Sequence, residues 1–251
     1  MMEIILDERA WCENMLSNFS IGQNPAGTLN RLAKYYYSQG FRRTGISRRL
    51  EDFILRCNPS ANMMRWQEIV DSCTNQADRR PLIYIEAVYV TQAELDLIAG
   101  LSGRMIQKLM FTLICLARYR NLINPRNDSW VGYDCKDIFK MANVQMTRAR
   151  QFALINDLIQ LGLLQTNRVV DNVSVRVACI NDQSEAVMGV TDFRNLGNQY
   201  CNHVSGGYIE CEHCGLTIKS NSSAQKYCKD CANAMKRSWH SDSSCFGDGV
   251  A

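Results

Sequence analysis

The chain has 251 residues, 46% hydrophobic and 21% charged with four prolines, the composition of a globular protein of one large domain or two to three small ones. Its longest apolar run, around Leu109 to Ala117, is too short to cross a bilayer. The acidic opening MMEIILDERAWCE has neither a basic leader nor a cleavable apolar core, which predicts a soluble, cytoplasmic protein without a secretory signal. The net charge of +3 is segregated into −3 over residues 1–24, +5 over 25–56, −3 over 57–101, +6 over 102–180, −2 over 181–206 and zero over 207–251. Two basic blocks between acidic ones predict a localised anionic partner, nucleic acid first among them.

In chain order, Asn24-Pro25 joins a capping side chain to a first-turn proline and starts a helix through GTLNRLAKYYYSQG, closed by Gly40. Helical spacing buries Leu29, Leu32, Ala33 and Tyr36 and turns Arg31 and Lys34 outward between Tyr35 and Tyr37. A second helix from Thr44 places Ile46, Leu50 and Phe53 inside and Arg48, Asp52 and Arg56 on one outer face. A third opens at Asn62 with Trp66, Ile69 and Val70 inward. Residues 1–101 therefore read as an N-terminal helical domain. Its basic residues beside tyrosines suit a nucleic-acid surface or a plain solvated face.

PLIYIEAVYV alternates like a strand, and Thr91-Gln-Ala-Glu94 after it is a capping box. From Ser102 a long helix carries Ile106, Leu109, Met110, Leu113, Ile114, Leu116 and Ala117 at helical spacing, which makes it a central core helix. DSWVGY reads as a short strand, and Asp134 caps a short helix to about Ala142. Thr147 caps a further helix that stops at Gly162, and LLQTNRVVDNVSVRVACI gives two β-rich runs joined across Asp171-Asn172. Helix, strand, short helix, turn, helix and hairpin form the order of a winged helix-turn-helix over residues 102–181, in which the third helix enters a major groove. On that helix Phe152, Ile155, Leu158 and Ile159 share one face, opposite Arg150, Ala153 and Asp157, with Asn156 and Gln160 alongside. Arg150, with Thr147 and Arg148 in the first turn, is best placed to reach DNA, and Arg168 and Arg176 lie on the wing strands.

Twelve cysteines without a secretory signal point to a reducing compartment, and Cys57, Cys73, Cys115 and Cys179 fall in apolar patterns as small buried hydrophobes. The acidic, polar stretch 182–206 reads as a linker, Cys201 and His203 as linker residues or spare ligands, and 238–251 as a disordered tail. Over 207–237, Cys211-x-x-Cys214 and Cys228-x-x-Cys231 have the spacing of a closed four-thiolate structural zinc site. Gly215 follows the first pair where such knuckles need a left-handed backbone. The run between the pairs predicts a strand, a polar turn and a return strand ending at Tyr227; a short helix then begins at the second pair, and His213 faces solvent. A thioredoxin-like redox pair comes singly beside a βαβ pattern, and neither condition holds here.

The module resembles the zinc ribbons and treble-clef fingers attached to many nucleic-acid-handling proteins. Its C-E-H-C-G…K-Y-C-K-D-C-A wording is similar to tails of bacteriophage and mobile-element proteins. The expected fold is mainly α with small β: an N-terminal helical bundle, a winged helix-turn-helix and a C-terminal zinc ribbon. A phosphate-cradling glycine loop and H-E-x-x-H are missing, and the three histidines all lie at or beyond residue 203, which predicts a non-enzymatic protein. Two functions fit: a regulatory or replication-type DNA-binding protein, or a phage-encoded factor that occupies a host nucleic-acid-handling or defence complex.

Overall fold

The computed structural model describes residues 4–166 and 172–243, and it is mainly helical with small antiparallel sheets. Among the described residues no helix is long and apolar enough to cross a membrane. The chain splits into two compact units, Glu3–Ala87 and the remainder from Val88.

The first unit packs α1 (Glu8–Asn18), α2 (Pro25–Ser38), α3 (Arg43–Cys57) and α4 (Met63–Gln76) around Leu29, Leu32, Ala33, Tyr36, Ile46, Leu50, Phe53 and Val70. Asn24 Oδ1 accepts the Gly27 N–H at 3.1 Å and Asn62 Oδ1 the Met64 N–H at 3.1 Å, so both expected caps close their helices. Trp66 and Ile69 lie only half-buried at the edge of this core. The expected outward placement of Arg31 and Lys34 does not hold. Both reach the carboxylate of Glu8 at 3.3 Å, which is 4% exposed and also accepts the Ile83 N–H at 2.9 Å. A carboxylate this buried needs opposite charge and donors, and α2 supplies the charge.

The second unit begins with β1 (Val88–Thr91) and α5 (Gln92–Ala99), followed by the central helix α6 (Arg104–Ile123). Next come β2 (Trp130–Asp134), α7 (Cys135–Met141), α8 (Arg148–Gln160), β3 (Leu164–Thr166) and β4 (Asn172–Val177). The unit closes with β5 (Ala186–Val190), α9 (Leu196–Ser205), β6 (Tyr208–Glu210), β7 (Thr217–Lys219) and α10 (Lys229–Ser243). Along α6 the side chains of Leu109, Met110, Leu113, Ile114, Leu116 and Ala117 are wholly buried, as its spacing requires. One antiparallel sheet has the order β2-β4-β3, with Trp130 opposite Arg176 and Leu164 opposite Val177. Asn172 already belongs to β4, and the connection 167–171, with Arg168 and Asp171, lies outside the described residues.

Three expected boundaries move. The break lies at 87/88 rather than 101/102, because β1 pairs with β5 from Val88↔Val190 to Thr91↔Ala186 and Glu94 on α5 is locked to α6. Only Val88–Thr91 of the alternating run is strand, while Tyr84 makes a single bridge to Asp7. The stretch 182–206, expected as a linker, is structured: it supplies β5, and α9 packs on α6 with Tyr200 against Phe111 at 5.4 Å between ring centroids. Short apolar contacts from Val190, Phe193, Leu196 and Tyr200, all buried, outweigh the polar residues between them. Helix α10 likewise runs to Ser243, into the stretch expected as tail.

Gly197 sets how closely α9 approaches α7. A Cβ at this position would collide with the Ala142 carbonyl, which is backbone and cannot swing aside. Gly197→Ala is expected to cost about 1–3 kcal/mol through overpacking, read as a lower midpoint in urea with an unchanged slope. A midpoint equal to wild type would contradict this contact.

Glu94 is the polar centre of the second unit and has no exposed surface. Its Oε2 accepts the Thr91 N–H at 2.9 Å, the return half of the expected capping box, and its Oε1 accepts the Asn181 N–H at 3.2 Å. Arg118 of α6 donates Nε to both oxygens at 3.0 Å and Nη2 to Oε1 at 2.8 Å, then reaches Asn181 O and Asp182 Oδ1, each at 3.0 Å. One ion pair thus ties the β1–α5 corner, the central helix and the β4–β5 connection together.

Candidate functional site

Cys211 and Cys214 sit in the turn between β6 and β7. The Cys211 N–H donates to Leu216 O at 3.0 Å and the Gly215 N–H to Cys211 O at 2.8 Å, with Gly215 at φ 71 in the left-handed region the turn demands. Cys228 precedes α10 and Cys231 lies in its first turn; the Cys228 N–H points at Cys211 Sγ at 3.3 Å and the Cys231 N–H at Cys228 Sγ at 3.4 Å. The four Sγ atoms lie within 4.8 Å of one another, and Cys214 and Cys228 are 3.9 Å apart. A tetrahedral ion with thiolate bonds of about 2.3 Å sets sulfurs roughly 3.8 Å apart, so the four cysteines are placed to hold a metal ion.

The electrostatics agree with the geometry. Burial pushes the Cys211 thiol up, but N–H groups of Cys228, Cys214 and His213 outweigh it and bring the group down to about 6. Burial raises Cys214, and Cys231 is raised first by its contact with the Cys228 sulfur. Clustered thiols resist joint ionisation, and a bound cation removes that resistance. His213 is exposed, with Nδ1 3.5 Å from Cys231 Sγ and outside the set of four. Cys201 is buried in α9 and His203 is exposed on its last turn, so neither joins the cluster. The return strand expected before Tyr227 does not form: β7 pairs with β6, upstream of the first cysteine.

Helix α9 and the turn before it anchor this module. Arg194, paired with Asp192 at 2.7 Å, donates Nη2 to Cys214 O at 2.7 Å. Asn198 donates Nδ2 to Thr217 O at 3.0 Å while its Oδ1 accepts Asn143 Nδ2 at 2.8 Å. Asn143 lies between α7 and α8, so a continuous polar chain links that turn to the cysteine hairpin. Spacing along the sequence carries no signal for these partners.

On α8, Ile155 and Leu158 are buried and Phe152 and Ile159 half-buried, while Thr147, Arg148, Arg150, Ala153, Asn156, Asp157 and Gln160 are exposed. The face expected outward is outward. Arg148 also lies over the Phe152 ring at 5.6 Å, and Thr147 begins the helix without a side-chain cap. Lys136 and Lys140 on α7 are exposed as well. Arg176, expected as a wing contact, is instead engaged by Asp128 through Nε at 2.9 Å and Nη2 at 2.8 Å, and by Gln165 Oε1 at 3.2 Å. Hydrogen bonding to this guanidinium holds the Asp128 carboxyl below the usual carboxylate range. Arg176 therefore braces the β2–β4–β3 sheet against the turn before β2.

No protein family, curated protein or solved structure matches the chain, which leaves the functional reading to the geometry of these residues.

Proposed function

We propose that this is a non-enzymatic DNA-binding protein, of the regulatory or replication-associated kind carried by bacteriophages and mobile elements. In this reading α6, β2, α7, α8, β3 and β4 form a winged helix-turn-helix, and Cys211, Cys214, Cys228 and Cys231 hold one structural Zn2+. The element order and the β2-β4-β3 sheet support the winged helix. The second cysteine pair at a helix start, rather than on a second hairpin, favours a treble-clef finger over a ribbon.

The observation that carries the proposal is the outer face of α8, where Thr147, Arg148 and Arg150 are exposed in the opening turn of the helix whose opposite face is buried. A helix N-terminus already favours phosphate, and arginine adds bidentate reach to guanine or phosphate. Arg168 would support from the β3–β4 connection. Arg148→Ala/Arg150→Ala is expected to flatten the dependence of affinity on salt by about one unit for each lost phosphate contact. A lost base contact would instead cost about 1–3 kcal/mol on a preferred duplex alone. A double variant that binds duplex like wild type removes α8 as the reading element. The second reading, a factor that docks on a host protein complex, is favoured by Asp157 and the 58%-exposed Leu161 at the far end of α8.

A further inference from the structure

Three residues join the cysteine hairpin to α8: Thr217 of β7, Asn198 of α9 and Asn143 of the α7–α8 turn. Thr217 pairs with Glu210, the residue before Cys211, so the place of its carbonyl depends on the hairpin being folded. Asn198, 5% exposed, donates Nδ2 to that carbonyl at 3.0 Å and accepts Asn143 Nδ2 on Oδ1 at 2.8 Å. Asn143, at φ 49, is the left-handed residue of the turn that leads to Thr147 at the cap of α8. The α9 backbone meets the same turn, since Gly197 lies against the Ala142 carbonyl.

A single planar amide therefore serves both neighbours, its donor side committed to the hairpin and its acceptor side to the turn. If the hairpin unfolds, the Thr217 carbonyl leaves, while α9 stays on α6 through Tyr200 and Phe111. Nδ2 of Asn198 is then stranded in a nearly buried position, a costly state for an amide donor. Rotation of the amide toward water relieves it and withdraws Oδ1 from Asn143. The turn loses its side-chain tie to α9, and the opening residues of α8 lose their fixed position.

We infer that the cysteine cluster is a control site for α8. Metal held by Cys211, Cys214, Cys228 and Cys231 keeps the hairpin folded, and Asn198 passes that state to the α7–α8 turn. Metal loss then weakens DNA binding although no cysteine touches DNA. The inference rests on the α8 reading and adds regulation by Zn2+ to it. The folded and unfolded hairpin are the two states that both ligands bias. Coupling of this kind is reciprocal, so bound duplex tightens the metal by the factor through which the metal tightens duplex.

The test compares full-length protein loaded with zinc and after chelation under reducing conditions, in wild type, Asn143→Gly and Asn198→Ala. Glycine keeps the left-handed turn and removes only the amide. Hydrogen exchange over residues 142–148 reads the turn without DNA, and fluorescence anisotropy with a random duplex reads α8. In wild type, chelation should speed exchange over 142–148 and weaken duplex binding about fivefold or more, and saturating duplex should slow zinc loss to a competing chelator. Both variants, with or without zinc, should bind duplex as chelated wild type does. A zinc module that contacted DNA directly would keep its full chelation effect in Asn143→Gly, and that result would overturn the inference. So would unchanged exchange over 142–148, or equal duplex affinity with and without zinc, in wild type. If no duplex binds in either state while chelation still loosens the turn in wild type and not in Asn143→Gly, the α8 reading fails and the coupling stands.

Discussion

Cys228→Ser is expected to release the metal and unfold the hairpin and helix that carry the four cysteines. This segment has little apolar core of its own: among its residues of described burial, through Arg237, Cys211, Thr217 and Cys228 are the buried ones. In the proposed reading metal ligation supplies its folding free energy, and structural zinc sites reach apparent values of about 10–16 kcal/mol near neutral pH. Elemental analysis of wild type should find one zinc per chain, and the variant should fall well below that. Asn198 holds the hairpin to α9 and Arg194 holds it to the turn before that helix, so the loss should spread into α9 as faster amide exchange while α6 stays protected. Wild type without zinc, or a variant with undiminished zinc, would refute the assignment of these ligands.

The second large effect is at Glu94. Glu94→Ala leaves the Arg118 guanidinium, 14% exposed, without its main partner and exposes the Thr91 and Asn181 amides to an empty pocket. Breaking one side of such a pair costs about 3–5 kcal/mol. That is a large part of the stability of a typical domain and is read as a strongly lowered urea midpoint. Replacing both partners, as in Glu94→Met/Arg118→Met, should recover much of the loss, because the cost lies in the stranded charge more than in the missing bond. A single variant within about 1 kcal/mol of wild type would show that water or Asp182 satisfies Arg118 without Glu94.

Much of this arrangement is legible in the sequence, for identifiable reasons. Asn24-Pro25, Asn62 and Thr91-x-x-Glu94 are local signals, and each marks its helix start. The α6 spacing foretells the core because every position it selects is buried. The four cysteines are legible because ligand spacing is local and Gly215 is adjacent. What sequence misses depends on distant partners. Helix α1 buries only Glu8 and Cys12, too narrow a face to show periodicity. Arg31 and Lys34 look solvent-facing until Glu8 is brought beside them. Arg176 looks free until Asp128, at φ 50, turns its carboxylate onto it. The stretch 182–206 resembles a linker because β5 and α9 are short, and their apolar residues meet partners in β1 and α6 far back in the chain.

Duplex binding by the wild-type, metal-loaded protein across a salt series tests the central claim most directly. Fluorescence anisotropy with a random duplex should give binding whose logarithm falls linearly with the logarithm of salt, with a slope set by the phosphates neutralised. That slope should shrink in Arg148→Ala/Arg150→Ala. Absence of binding to any duplex at low salt would contradict DNA recognition by α8 and leave docking on a host protein complex as the function to pursue.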